Sequence, residues 1–216
     1  ARPRLPDRAP APPGLQPLGL GADRDGFLFV PSGAASGDAL PLVLMLHGAG
    51  GTGRSGLAPF LDLADEAGVI LLAPDSRGHT WDAVRDGFGA DVDFISRALE
   101  DVFGRSTVDP DRIAVEGFSD GASYALGLGL ANGDRFGRVM AFSPGFAPRA
   151  RAHGRPPVFV AHGTADDVLP IDRCSRRIVP ALRDRGYDVR YVEFEGGHEL
   201  PAGVAEEALA WFLGGS

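Results

Sequence analysis

The sequence predicts an α/β protein with a mainly parallel central sheet, and two observations carry this prediction. Six apolar runs recur along the chain: LPLVLML, VILLAP, RIAVEGF, RVMAF, PVFVAH and VRYVEF. Amphipathic helical patterns, SGLAPFLDLADEAG and VDFISRALEDVFG, lie between the first three runs. Runs that are apolar throughout are typical of strands buried on both faces, and their alternation with helices is typical of parallel sheets.

The N-terminal part of the chain precedes this alternation. Residues 1–14 hold too many prolines for a helix or a central strand, which predicts an extended arm that is more simply a disordered tail than a binding motif. The following DGFLFVP predicts an edge strand. Beyond it no internal repeat and no second composition appears, so residues 1–216 are expected to form one domain.

Composition excludes several classes of function. With 44% hydrophobic and 23% charged residues the chain is an ordinary globular one, and its net charge of −8 argues against binding to nucleic acid. No apolar run approaches the roughly 20 residues that span a bilayer, and the N-terminus lacks the apolar core of a signal peptide. The single cysteine, Cys174, forms no internal disulfide, and the absence of lysine excludes Schiff-base chemistry.

The glycines that follow the first apolar run have two incompatible interpretations. Residues 48–53 fit G-x-G-x-x-G between a strand and a helix, and Asp75 stands about where a ribose-binding carboxylate is expected, so the segment resembles a dinucleotide-binding loop. The same glycines can instead let backbone N–H groups approach a substrate oxygen and form an oxyanion hole.

The residues just beyond the strand ends decide between these interpretations, because open α/β sheets carry their chemistry there. Gly117, Ser119 and Gly121 form G-x-S-x-G between a strand and a helix, where a sharp turn exposes the serine. A serine needs a histidine to accept its proton and a carboxylate to orient that histidine. Asp166 and His198 each follow a later strand. The order Ser, Asp, His is that of the α/β-hydrolases.

From about residue 26 to its end the chain resembles an α/β-hydrolase without a substantial lid. Within that fold it is similar to the phospholipase/carboxylesterase group and to the neighbouring polyhydroxybutyrate-depolymerase and feruloyl-esterase-like proteins. The motifs that carry the resemblance are LHGAGG, GFSDGAS, HGTADDVLP and GGH. The family's acid is the fifth residue of H-G-x-x-D, which favours Asp166 over its neighbour Asp167.

The resemblance implies a serine carboxylic ester hydrolase with an acyl-enzyme intermediate and no metal or organic cofactor. Ser119 is the expected nucleophile. The expected oxyanion donors are the N–H groups of Ala49 and Asp120, with Gly50 as the alternative to Ala49. A thioesterase or a hydroxyalkanoate-oligomer depolymerase would use the same residues. A non-hydrolytic nucleotide-binding domain would leave Ser119 without a role.

Specificity is expected to come from the loop of residues 76–91, which overhangs the site. Its Trp81 is a candidate wall for an acyl or aryl group, although packing within the loop explains it nearly as well. Phe146 is a second wall candidate. The open cleft favours small, short-chain or aryl esters as substrates. The lack of cysteine pairs favours a cytoplasmic enzyme over a secreted polyester depolymerase.

Overall fold

The computed structural model describes residues 1–21, 23–34, 37–84, 87–148 and 151–214. Within them lie eight strands: β1 (Gly14–Pro17), β2 (Gly26–Val30), β3 (Leu40–Leu46), β4 (Ile70–Pro74), β5 (Val108–Phe118), β6 (Arg138–Phe142), β7 (Val158–Gly163) and β8 (Val189–Phe194). The helices there are α1 (Gly53–Leu57), α2 (Leu61–Ala67), α3 (Ala90–Arg105), α4 (Asp120–Ala131), α5 (Ser175–Asp184) and α6 (Ala202–Leu213).

The strands form one sheet in the order β1-β2-β4-β3-β5-β6-β7-β8. Strands β3 to β8 run parallel to one another, whereas β2 is antiparallel to both β1 and β4. The predicted mainly parallel sheet is thereby confirmed. Because the parallel strands end at one edge, the loops that follow β3, β5, β7 and β8 meet there.

The central strands β3, β4, β6 and β7 are buried on both faces, which explains why they are apolar at successive positions. Leu42 and Leu44 of β3 point to the face covered by α3, α4 and α5, while Val43 and Met45 point to the face covered by α1, α2 and α6. Each such fully buried side chain contributes roughly 1.5–3 kcal/mol of transfer free energy. The two helical layers therefore hold the sheet, and its loops, in place.

The N-terminal region differs from the prediction. The segment DGFLFVP was expected to form an edge strand, but β1 pairs with β2 and is itself the outer strand. The four residues of β1, GLQP, lack an apolar alternation and end in a proline, which an edge strand tolerates. The arm before it is not a free tail, because Arg8 lies 2.7 Å from Asp101 of α3 and its N–H donates to the Gly104 carbonyl.

The first helical pattern of the sequence is two helices rather than one. Residues 58–60 form a turn between α1 and α2, and Pro59 has no N–H to continue the helical ladder. None of the helices in the described ranges is long and apolar enough to cross a membrane. Between β6 and β7 residues 143–148 and 151–157 contain no helix, so the described part of this connection places no helical lid over the sheet edge.

Candidate active site

Ser119 lies in a strained turn between β5 and α4. Its backbone angles are φ 58° and ψ −118°, in a region that residues other than glycine rarely adopt. The strand neighbour holds this conformation, because the Ser119 N–H donates to the Phe142 carbonyl at 2.9 Å. Such a turn projects the hydroxyl beyond the sheet edge.

The two glycines around Ser119 allow backbone segments to pack against each other. A Cβ on Gly117 would lie 2.2 Å from the carbonyl oxygen of Gly121. A Cβ on Gly121 would lie 2.0 Å from the carbonyl oxygen of Leu46 in β3. Both distances are far below van der Waals contact, so only glycine lets α4 start directly over β3 and β5.

Replacement of Gly121 by alanine is therefore expected to destabilise the protein. The collision is with backbone and no side chain can rotate away, so Gly121→Ala should lower the free energy of unfolding by about 3 kcal/mol or more. Urea unfolding measures it. Gly203→Ala on α6 is the matched control, because its new Cβ meets nothing within 4 Å and should be neutral or slightly stabilising. Equal stability of the two variants would contradict this explanation of the motif.

The structure brings Ser119, His198 and Asp166 together at the carboxyl edge of the sheet. The Ser119 Oγ lies 2.9 Å from His198 Nε2, and His198 Nδ1 lies 2.7 Å from Asp166 Oδ2. The phenyl ring of Phe118 packs against the imidazole at a centroid distance of 4.8 Å and fixes its plane. This chain of contacts can pass a proton from the hydroxyl to the imidazole while the carboxylate faces the opposite nitrogen.

The environment of Asp166 keeps its carboxylate charged although its side chain is fully buried. Burial by itself raises a carboxyl pKa, but hydrogen bonds from the Leu169 N–H and from His198 outweigh it and hold the pKa of Asp166 below its usual value. The Leu169 N–H and the Val168 N–H donate to Oδ1 at 2.7 and 3.0 Å, while Oδ2 faces both His198 Nδ1, at 2.7 Å, and His162 Nε2, at 3.2 Å. An anion at this position favours an imidazolium at His198.

His162 supports the loop that carries Asp166. Its ring is fully buried, with Nδ1 2.7 Å from the Ser175 hydroxyl and Nε2 2.8 Å from the Leu169 carbonyl. Burial lowers the pKa of His162, so it is neutral, donates from Nε2 and accepts at Nδ1. The alternative acid, Asp167, is exposed, and the structure gives no hydrogen bond between its carboxylate and His198.

The candidate oxyanion donors differ in their availability. The Gly50 N–H donates to the His79 carbonyl at 2.8 Å and is therefore occupied. In the part of the chain that the structure describes, the N–H groups of Ala49 and Asp120 have no hydrogen-bond acceptor. The Asp120 carboxylate accepts a hydrogen bond from the Thr80 hydroxyl at 2.7 Å, which holds the side chain against the loop after β4.

The carboxylate of Asp75 serves the helix that follows the glycine loop. Its Oδ1 accepts a hydrogen bond from the Gly53 N–H at 2.6 Å, at the first residue of α1. This contact uses the side chain that the dinucleotide interpretation assigned to a ribose. It therefore favours the interpretation in which residues 48–53 bring N–H groups to a substrate oxygen.

Arg24 and His47 fix the shape of the glycine loop. The Ser76 N–H donates to His47 Nε2 at 3.0 Å, so Nδ1 carries the proton and donates to the Gly48 carbonyl at 2.7 Å. Burial lowers the pKa of His47, in keeping with a neutral ring. Arg24 donates to the Gly51 carbonyl at 2.9 Å and to the Ser76 carbonyl, which joins the loops after β3 and β4. Arg24 stands in no recognisable motif, so no pattern in the sequence indicates its role.

The structure corrects the expectation for Trp81. Its side chain is 0% exposed and its Nε1 donates to the His47 carbonyl at 2.8 Å, so it packs beneath the glycine loop and offers no surface to a substrate. The Tyr124 ring lies against its other side, 5.1 Å away. Phe146, in contrast, is 39% exposed just after β6, and residues 85–86 of the predicted specificity loop lie outside the described residues.

A cavity of about 380 Å³ adjoins the histidine of the site. It is lined by residues of the glycine loop, α1, β5 and the loop after β8, among them Ala49, Phe118, His198, Leu200 and the buried Glu116. A larger cavity of about 520 Å³ lies between the N-terminal arm and α3, but none of the triad candidates lines it. The cavity of about 380 Å³ is therefore the one that adjoins the proposed reacting groups. Glu116 is a single acidic residue inside an apolar strand, and no motif in the sequence marks it.

Glu116 is expected to make the stability of the protein fall with rising pH. Burial holds the pKa of Glu116 well above its ordinary 4.5, so above pH 4.5 the unfolded chain loses this proton while the folded chain keeps it. The folded state then binds more protons, and stability falls by up to roughly 1.4 kcal/mol per pH unit until the folded pKa is passed.

Urea unfolding of the wild type and of Glu116→Gln across this pH range measures the effect. The difference in free energy of unfolding, variant minus wild type, should grow as the pH rises above 4.5. His47, His198 and Glu199 line the same cavity in both proteins, so their contributions largely cancel. Parallel stability curves for the two proteins would contradict the assignment of a raised pKa.

Among the described residues, no group of three or more His, Cys, Asp or Glu side chains is arranged to hold a metal ion. Cys174, at the start of α5, is buried, and burial raises the pKa of its thiol. The groups that the structure brings together at the sheet edge are the Ser119 hydroxyl, the His198 imidazole and the Asp166 carboxylate.

Comparison with known proteins identifies a matching family and related sequences. Residues 85–210, more than half of the chain, match the phospholipase/carboxylesterase family model. NocK of Nocardia uniformis subsp. tsuyamanensis, named provisionally as an esterase, is 34% identical over 160 residues, which is 67% of this chain and 45% of that protein. Acyl-protein thioesterase 1 of Gibberella zeae is 30% identical over 116 residues, or 49% of each chain. The chain spans about half the length or less of these relatives.

Solved structures resemble the chain over nearly its whole length. Esterase PE8 superposes with a TM-score of 0.72 at 28% identity, covering 88% of this chain and 98% of that one. The fluorophosphonate-binding serine hydrolase FphF of Staphylococcus aureus has the same fold, with a TM-score of 0.75 at 12% identity over 94% of this chain and 100% of its own. The sheet order, the turn at Ser119 and these matches lead to one conclusion: the chain belongs to the phospholipase/carboxylesterase family of α/β-hydrolases.

Proposed function

We propose that this protein is a serine carboxylic ester hydrolase in which Ser119, His198 and Asp166 form the catalytic triad. The observation that carries the proposal is the unbroken line of hydrogen-bond contacts from the Ser119 hydroxyl through the imidazole to the Asp166 carboxylate. The strained turn at Ser119 and the unoccupied N–H groups of Ala49 and Asp120 support it.

In the first half-reaction Ser119 Oγ attacks the ester carbonyl carbon while His198 Nε2 takes its proton. The negative charge that develops on the carbonyl oxygen is stabilised by the N–H groups of Ala49 and Asp120. Asp166 stabilises the imidazolium across Nδ1. When the carbon–oxygen bond to the alcohol breaks, the imidazolium gives its proton to the leaving oxygen and an acyl-serine ester remains.

In the second half-reaction water replaces the alcohol. His198 Nε2 accepts a proton from the water as its oxygen attacks the acyl carbon, and the same two N–H groups hold the oxyanion. Collapse of the intermediate breaks the bond to Ser119 Oγ, which regains the proton from the imidazolium. The products are a carboxylic acid and the enzyme in its starting state.

The substrates that suit this site are small esters with short acyl chains or aryl groups. No helix lies in the described part of the connection between β6 and β7, so the serine is reached from an open edge. The exposed Phe146 is a candidate wall for the acyl or aryl group. An open site of this kind needs no interfacial activation to admit a soluble ester.

Thioester hydrolysis is a second candidate, because relatives of this chain carry the name acyl-protein thioesterase. The nucleophile, base and oxyanion donors serve both reactions, and the difference lies in the leaving group. A thiolate leaves without help from a protonated imidazole more readily than an alkoxide does, which makes the leaving group the point of comparison.

The test measures hydrolysis of p-nitrophenyl acetate and butyrate, beside the acetyl and butyryl thioesters of N-acetylcysteamine. The proposal expects turnover of the esters with saturation by substrate and a burst of p-nitrophenol equal to the enzyme concentration when deacylation is slow. A preference for the thioesters at matched acyl length would favour the second candidate. Absence of turnover of every ester and thioester would overturn the proposal.

A further inference from the structure

Glu116 is a carboxyl group without a structural partner in the interior of the protein. It lies on β5, three residues before Ser119, on the face covered by α1 and α6, and is 3% exposed. Its Oε2 is buried, and no hydrogen bond joins it to any residue that the structure describes. Buried polar groups in folded proteins are nearly always hydrogen-bonded, because an unpaired one costs free energy.

The cavity beside His198 reaches this buried residue. Glu116 forms part of its wall, together with Phe118, His198 and Leu200, and a second acid, Glu199, stands at its exposed side. Among the described residues no arginine lines the cavity, and the chain contains no lysine. The only other ionisable group in the described lining is His47, whose pKa is lowered by burial and which is therefore neutral.

The electrostatics of this cavity favour one class of ligand. A carboxyl group without a partner is stabilised most by a ligand that donates a hydrogen bond to it. A cationic donor stabilises it more than a neutral donor does. The carboxylate of Glu199 at the exposed side has no arginine beside it in the described lining, which disfavours an anionic ligand. A protonated amine fits both statements, since it brings the missing donor and the missing positive charge.

We propose that the cavity lined by Glu116 is a subsite for the alcohol portion of the ester, and that it takes a protonated amine which donates a hydrogen bond to the Glu116 carboxylate. The inference rests on the proposed hydrolase function. The alcohol side follows from the position of His198, which lines the cavity and must lie beside the leaving oxygen to protonate it. As the ammonium enters, Glu116 releases its proton to solvent and the two charges pair.

The first experiment compares two acetate esters of the same shape. 3-(Dimethylamino)propyl acetate carries a cation and cannot transfer its acyl group to nitrogen, and 4-methylpentyl acetate is its neutral isostere. Acid release at constant pH gives kcat/KM for each. The wild type should prefer the amine ester by about tenfold or more, and Glu116→Gln should bring this ratio close to one. Glu206→Gln, an equal change of charge on the exposed side of α6, should keep the wild-type ratio.

A second pair of esters separates a cation from a neutral donor. 3-Hydroxypropyl acetate carries a hydroxyl where butyl acetate carries a methyl group. Of the two variants, Glu116→Gln keeps a hydrogen-bonding group and Glu116→Met does not. One outcome would overturn the assignment of an amine and assign a neutral donor to the subsite. In it the wild type shows no preference for the amine ester, and a preference for the hydroxyl ester survives in Glu116→Gln but is lost in Glu116→Met. Ratios that are the same in the wild type and in Glu116→Met would overturn the subsite altogether.

Binding to a chain that lacks the nucleophile keeps the inference separate from the proposed function. In the Ser119→Ala background, isothermal calorimetry measures the affinity of the amine ester and of its neutral isostere with Glu116 present or replaced by glutamine. The subsite predicts tighter binding of the amine ester that Glu116→Gln abolishes. Equal affinities overturn the subsite even if the wild type hydrolyses esters, and a Glu116-dependent preference supports it even if the wild type hydrolyses none.

Discussion

Ser119→Ala is expected to lower kcat for p-nitrophenyl butyrate by roughly 10⁴ to 10⁶-fold, because it removes the atom that forms the acyl-enzyme. The Ala49 and Asp120 N–H groups remain in place, so a small rate above that of water should persist. The variant should fold like the wild type, since the Ser119 hydroxyl contacts only His198 among the described residues. Matched circular dichroism spectra check this.

Ser143→Ala is the matched control for this substitution. Ser143 also follows a strand of the sheet with positive φ, 49°, and its buried hydroxyl has no hydrogen-bond partner within the described residues. Loss of that hydroxyl removes no hydrogen bond, so kcat should stay within about threefold of the wild type. A Ser119→Ala protein that keeps more than about a hundredth of the wild-type kcat would require another nucleophile.

Asp166→Asn is expected to lower kcat by roughly 10⁴-fold with little change in KM. A neutral amide cannot stabilise an imidazolium. Its N–H group would donate to His198 Nδ1, which places the proton of the neutral ring on Nε2, so Ser119 loses its base. The Val168 and Leu169 N–H groups can still donate to the amide oxygen, so the loop should keep its shape. Initial rates over a range of p-nitrophenyl butyrate concentrations separate kcat from KM.

Asp167→Asn distinguishes the two acids of the motif. Asp167 is exposed, and the structure gives no hydrogen bond between its carboxylate and His198. The same change of charge one residue along should therefore leave kcat within about threefold of the wild type. If Asp167→Asn lost more activity than Asp166→Asn, the acid of the site would have been assigned to the wrong residue.

Sequence reasoning succeeds here where the relevant information is local. The strands β3 to β8 are predicted because each contains a run dominated by apolar residues, and β3, β4, β6 and β7 are buried on both faces as such runs require. Ser119, Asp166 and His198 are proposed from their position after such runs, and the structure brings their side chains within hydrogen-bond distance. Chain order and the end of a strand are both readable from the sequence alone.

Sequence reasoning fails where a role depends on contacts between distant segments. Trp81 has the size and the apolar ring expected of a substrate wall, but its Nε1 donates to the His47 carbonyl and the ring is buried. Arg24 joins two loops through their carbonyls, a function that no local pattern indicates. The strand β1 is short and lacks alternation, so its pairing with β2 is visible only in the sheet. The raised pKa of Glu116 comes from its burial, which cannot be read from the sequence around it.

The central claim is that Ser119 is the activated nucleophile, and covalent labelling tests it most directly. A fluorophosphonate ester reacts with an activated serine by forming a P–O bond and releasing fluoride, and peptide mass spectrometry locates the adduct. The account predicts one phosphonyl group per chain, on Ser119, and no labelling of the His198→Ala variant, which lacks the base. An adduct on another residue, or no adduct on a correctly folded wild type, would contradict it.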